Sequence, residues 1–143
     1  MRVMFLEPRN NLEIYLPKLK DTIEHLIKDY GATTFFFSEV SRFTYQALGI
    51  IEKLRRDYPF CELCLIVSDE SDSPPENERK TYPKYIYLSA LSVFGKRDAA
   101  FARNIWMIDN CDIVVLYPEQ DQMADLSFRK YVYEKGKTVV IAD

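Results

Sequence analysis

Six short apolar runs, separated by amphipathic stretches of helical length, constrain this chain more than any single motif. Val3–Leu6, Thr33–Phe37, Cys61–Val67, Tyr85–Leu88, Ile113–Tyr117 and Thr138–Ile141 read as strands, since they are rich in β-branched and aromatic residues. Between the first two runs, Leu16, Leu19, Ile23, Leu26 and Ile27 recur at helical spacing, which predicts a helix over 12–30 ended by Gly31. Phe43, Ala47, Ile50, Ile51, Leu54 and Tyr58 define a second helix, with Ser41 as its N-cap and Pro59 as its stop. Further helices are expected over 98–110 and 123–134. Strands that alternate with helices of this length give an α/β fold, a mostly parallel sheet of five to six strands covered by helices on both faces.

The chain of 143 residues, 48% of them hydrophobic, fits one domain spanning 1–143 with one packed core. No apolar run approaches the roughly 20 residues of a membrane span, so no membrane partner is expected. The 19 basic and 22 acidic residues are interspersed, without the basic patch that nucleic-acid binding favours. Three cysteines cannot form a complete disulfide framework, and a cytoplasmic location is expected. Cys61 and Cys64 have a metal or redox spacing, but residues three apart on a strand face opposite ways, so their thiols should not converge. The only histidine, His25, lies opposite the apolar stripe of its helix, which disfavours histidine triads and most histidine metal sites. No metal or cofactor is expected.

Ligands of an open parallel sheet bind at the carboxyl ends of its strands. Four segments should lie there: Glu7–Asn10, Ser38–Arg42, the long polar segment beginning at Ser68, and Pro118–Gln122. The Ser68 segment, with Pro74-Pro75 and a helical turn expected near 76–80, has the length of a lid. Arg9 and Arg103 carry forks suited to a phosphate or carboxylate. Ser38 and Ser41 can donate hydroxyls to an anion at the start of the second helix. Asn104 can contribute an amide. Each has an alternative: a solvated loop residue for Arg9, an N-cap for Ser41, a loop tie for Asn104. Arg103 can instead offset Asp109 or Asp112, which the helix macrodipole disfavours at the end of the 98–110 helix.

Several of these elements recur in order in a known family. Arg103-Asn104, Met107, Asp109 and Asp112 fit the pattern Arg-Asn-x-x-Met-Val-Asp-x-x-Asp that precedes a strand. Leu54-Arg55-Arg56-Asp57-Tyr58-Pro59 fits a Leu-Lys-x-x-Tyr-Pro helix end, and Tyr131–Lys137 fits Tyr-Ala-x-x-x-Gly-Lys. On these motifs the chain resembles the YpsA-like branch of the SLOG superfamily, the DNA-processing protein A and LOG group. The resemblance implies a three-layer Rossmann-like sandwich that binds a nucleotide or nucleotide-derived ligand. Where the family has Gly-His-Arg, this chain has Glu7-Pro8-Arg9. Where the family has a glycine-rich loop after the second strand, this chain runs Phe37-Ser38-Glu39-Val40-Ser41-Arg42-Phe43-Thr44, and near the last loop it has Met123-Ala124-Asp125.

Only 4 glycines occur in the chain, where average usage of about 7% predicts roughly ten. Glycine lets backbone approach a phosphate closely. At 39 and 42 the side chains of Glu39 and Arg42 fill that space, and Glu39 repels an anion. The favoured expectation is a divergent, non-catalytic domain with a sensor or regulatory role, binding an anionic ligand through Arg9, Ser38, Ser41, Arg103 and Asn104. A second reading is an interaction module with a decayed pocket, in which an aromatic patch drawn from Tyr82, Tyr85, Tyr117, Tyr131 and Tyr133 marks a homodimer or partner surface. A third is an N-glycosidic enzyme resembling phosphoribohydrolases or deoxyribosyltransferases, for which Glu119 and Glu134 are the available glutamates.

Overall fold

In the computed structural model, which describes residues 1–8, 10–38, 41–68, 84–118 and 123–142 (backbone alone at 92, 96 and 123–127), the six runs form one sheet. The strands are β1 (Arg2–Phe5), β2 (Thr34–Phe37), β3 (Glu62–Val67), β4 (Lys84–Tyr87), β5 (Ile113–Leu116) and β6 (Thr138–Ile141). They lie in the order β4-β3-β2-β1-β5-β6, and every pair is parallel. The helices are α1 (Leu12–Tyr15), α2 (Leu19–Tyr30), α3 (Arg42–Leu54), α4 (Lys96–Asp109) and α5 (Met123–Glu134). The expected α/β sandwich is therefore the observed one.

Strand alternation divides the core in two. Val3, Phe5, Phe35, Phe37, Leu63, Leu65, Ile113 and Val115 turn toward α2 and α3. The residues between them, Met4, Phe36, Cys64, Ile66, Val114 and Leu116, turn toward α4 and α5. Near-continuous apolar runs such as Ile113–Leu116 are what a strand covered on both faces needs.

The expected first helix is divided. Pro17 has no N–H to give, and Leu16–Lys18 tightens into a 3-10 turn between α1 and α2. Gly31 ends α2 in the left-handed region (φ 69°), and Ala32 N–H donates to the Leu26 carbonyl at 3.1 Å. At the other end of α1, Asn11 takes φ 62°, a conformation that asparagine tolerates better than most residues. Ser41 caps α3 as expected, its Oγ accepting from the Thr44 N–H at 3.2 Å. A second 3-10 turn, Ser89–Val93, leads from β4 into α4. The turn expected near 76–80 and the whole 69–83 segment lie outside the described residues.

Candidate functional site

The strand order fixes where a ligand crevice can be. From β1 the chain steps through β2 and β3 to β4, then returns to the far side of β1 as β5. The connections leaving β1 and β5 thus run to opposite layers, α1 and α2 on one face and α5 on the other. Their carboxyl ends flank the switch point, the usual position of a crevice in this architecture. The Leu6 N–H still donates to the Val115 carbonyl at 3.1 Å, so the pairing with β5 continues one residue past the end of β1.

On the α2/α3 side, aromatic rings occupy the space beneath this edge. Phe5 stacks on Phe37 at 5.0 Å between centroids, and Phe43 meets both, at 6.1 and 5.9 Å. Tyr117, the residue that leaves β5, packs against Tyr15 at 4.6 Å and Phe43 at 5.9 Å. A phosphate seat needs bare backbone N–H groups, and this side offers buried rings instead. The sequence reading placed Phe43 in the core but missed the joint packing of Tyr15 and Tyr117, because only the sheet order brings α1 beside the end of β5.

The α4/α5 side is different. Trp106 packs on Phe36 of β2 at 5.9 Å. Arg103, three residues earlier on α4, lies roughly 4.5 Å further toward the carboxyl edge. It belongs to the same stripe as buried Met107, one turn on, and is itself only 7% exposed. A guanidinium buried this deeply is tolerable only in polar or electrostatic contact, and Arg103 is so engaged. Ser38, half-buried, follows Phe37 directly, and continued alternation turns it to the face of Phe36, the face of Arg103. Beside Arg103, the Asn104 Oδ1 is enclosed and has no hydrogen-bond partner among the described residues. Leu6 and Leu88 border the same core at the ends of β1 and β4.

The other site residues separate. Ser41 both donates to Thr44 Oγ1 at 3.3 Å and accepts from the Thr44 N–H, so its hydroxyl serves the cap. Arg42 is drawn to Glu13 on α1 in a 2.9 Å ion pair, away from the backbone it was expected to crowd. Arg9 and Glu39 lie outside the described residues, as does Glu119. Glu134 ends α5, at the amino edge of the sheet and away from the crevice.

The polar end of the Arg103–Asp112 segment also sits at the amino edge, where it joins strands. Asp112 Oδ2 accepts from the Arg2 N–H at 2.9 Å, and the Asp112 N–H donates to the Arg2 carbonyl at 2.8 Å. The Asn110 side chain donates to the Trp106 carbonyl at 2.8 Å and closes α4. Asp109 accepts from the Tyr131 hydroxyl at 2.6 Å, a bond that raises the pKa of that tyrosine. The expectation that Arg103 offsets Asp109 is therefore corrected. Six residues of helix separate them by roughly 9 Å along the axis, and Tyr131 supplies the partner.

Of the tyrosines expected to form a patch, Tyr133 is exposed and the other described ones are placed differently. Tyr117 is buried, Tyr85 packs against the α2/α3 core, Tyr131 borders the opposite core, and Tyr82 lies outside the described residues. Cys61 and Cys64 fall in opposite cores, as strand geometry requires. Burial pushes the Cys64 thiol up to about 11 and the Cys111 thiol to about 12, which leaves both protonated and poorly nucleophilic at neutral pH. His25 is exposed and pairs with Asp29 one turn along α2. Among the described residues, no group of three or more His, Cys, Asp or Glu is placed to hold a metal ion. No described helix is long and apolar enough to cross a membrane.

Compared with models of known protein families and with curated proteins, the sequence matches none of them.

Proposed function

We propose that this is a divergent Rossmann-like ligand-binding domain without catalytic activity. Its ligand is a nucleotide-derived or other anionic small molecule, held at the carboxyl edge on the α4/α5 side, and its role is that of a sensor. The observation that carries this reading is the buried Arg103, set on the face that Ser38 shares, one turn above the level of Phe36. Asn104 adds an enclosed acceptor with none of its capacity used among the described residues, which a ligand hydroxyl or amino group would satisfy. The aromatic filling of the other side supports a ligand that approaches from the α4 face alone. Buried thiols and an exposed histidine supply no activated nucleophile. The resemblance to the YpsA-like branch points to the same ligand class.

A thermal-shift screen against nucleoside mono- and diphosphates and nucleotide sugars tests the proposal. Ligand at about a hundred times its Kd stabilises by roughly 2.7 kcal/mol, which displaces the unfolding midpoint by several degrees in a chain of this size. Arg103→Met keeps the volume and apolar stem while it removes the charge. It is expected to weaken binding at least tenfold in a variant that still unfolds cooperatively. Unchanged binding by this variant would sink the assignment of Arg103.

One observation favours a second reading, the interaction module. Val93 is 82% exposed, and Phe94 and Phe101 are each 50% exposed, close in sequence around the start of α4. Concentration-dependent sedimentation that Phe94→Ser abolishes, together with no thermal shift across the panel, would favour that reading.

A further inference from the structure

A groove of about 530 Å³ lies on the outside of the first helical layer, between α2 and α3. The sheet separates it from the α4/α5 side of the carboxyl edge. Ile50 and Leu54 give it apolar walls, and the ring of Tyr45, 63% exposed, stands beside them. Lys20 of α2 and Lys53 of α3 add two ammonium groups, against one carboxylate, Asp57. Neither lysine is taken up by a salt bridge among the described residues. The Gln46 amide, which also lines the groove, donates to the Leu16 carbonyl at 3.2 Å and so holds α3 against the turn preceding α2.

Gly49 supplies an independent observation. It lies inside α3, where glycine is among the poorest choices for helix stability. A Cβ at this position would meet no atom within 4 Å, so packing within the chain does not require glycine here. What the missing side chain does is leave room in the groove that Gly49 lines.

We propose that this groove binds an organic anion with an apolar body, of the class of aromatic sulfonates and medium-chain carboxylates. The apolar body lies along Ile50, Leu54 and the Tyr45 ring, close to the backbone of Gly49. The anionic head sits with Lys20 and Lys53, and Asp57 repels it from its own end of the groove. The volume falls within the roughly 300–1,000 Å³ of small-molecule sites, and the mixture of apolar walls with a few charged groups is typical of them. Because the sheet intervenes, this ligand and one at the carboxyl edge can be bound together.

The test uses the full chain, with 8-anilinonaphthalene-1-sulfonate as a fluorescent probe and octanoate as a competitor. The wild type is expected to show saturable emission that octanoate reduces and AMP leaves unchanged. Gly49→Leu fills the groove with a better helix former, so it should weaken probe binding at least tenfold while the unfolding midpoint rises. The double variant Lys20→Glu, Lys53→Glu should also weaken it at least tenfold. Probe binding that Gly49→Leu leaves intact would place the probe elsewhere, on the exposed Val93–Phe101 surface for instance, and would overturn the proposal. Binding insensitive to both charge reversals, or none in the wild type, would do the same.

Discussion

The two faces of this sheet are made from the same six strands, yet they are finished in opposite ways. On the α2/α3 side the buried polar groups are Thr44, satisfied locally by the cap that Ser41 makes, and the enclosed Tyr117 hydroxyl. Around it the rings of Phe5, Phe37, Phe43, Tyr15 and Tyr117 close the space under the carboxyl edge. On the α4/α5 side the buried polar residue is the cation Arg103, beside an amide whose oxygen is enclosed and unsatisfied among the described residues. A buried cation and an enclosed acceptor are costly in an apolar layer unless they are partnered, and Arg103 is engaged. The contrast sets a ring-packed face against the face on which binding is proposed.

Truncating an equivalent ring on each face would break that contrast most directly. Phe43 is fully buried among rings, and Phe43→Ala should cost about 3–5 kcal/mol. Phe128 is also buried, but it packs at 4.9 Å against Phe101, which is half exposed and able to relax into the gap. Phe128→Ala should fall at or below the lower end of that range. Urea unfolding of both variants checks this, and equal losses would mean that the two cores are equally tight.

A smaller effect comes from the thiols of the α4/α5 core. An unfolded thiol titrates near 9, whereas burial holds Cys111 protonated up to about 12 and Cys64 up to about 11. Above pH 9 the unfolded chain loses protons that the folded chain keeps, so stability falls as pH rises through this window. Cys111→Ala should flatten the decline between pH 9 and 12 relative to wild type in alkaline denaturation, with little change in slope below pH 8. An identical slope in the variant would show that Cys111 is less enclosed than Cys64.

Much of the fold was legible because each strand and helix declared itself locally. The runs Thr34–Phe37 and Ile113–Leu116 and the stripe Leu19-Ile23-Leu26-Ile27 needed no partner to be recognised. The candidate site was legible in part. Arg103 and Asn104 stood out as residue types, but their neighbours Asp109 and Asp112 read as companions only because they are close in sequence. The helix carries them to the opposite edge of the sheet, where Tyr131 and Arg2 meet them. The contact of Tyr15 with Tyr117 depends on β5 returning beside β1, a property of the sheet order that no local pattern encodes.

The α3 cap refines the comparison at a smaller scale. Ser41→Ala removes the acceptor for the Thr44 N–H and the partner of the Thr44 hydroxyl, and should cost about 1 kcal/mol. Because the cap belongs to the α2/α3 side, ligand binding at the carboxyl edge should survive, with affinity changed less than twofold by calorimetry. A loss of binding as large as that of Arg103→Met would bring Ser41 into the site and make both faces part of it.

The least effect is expected where Arg42 reaches Glu13 across the mouth of the same side. Both side chains are largely in solvent, so the pair gains little Coulomb energy and is screened by salt, and Arg42→Ala should cost no more than about 0.5 kcal/mol. Its value as a test lies in the position of the charge. If the anion entered over α3, as a glycine-loop arrangement would require, losing a cation there would weaken binding and reduce its salt dependence. If the ligand is held from the α4 face, the salt dependence measured between low and physiological ionic strength should be the same in Arg42→Ala and wild type. That outcome would trace the electrostatic attraction to the α4/α5 side alone, as the proposed site requires.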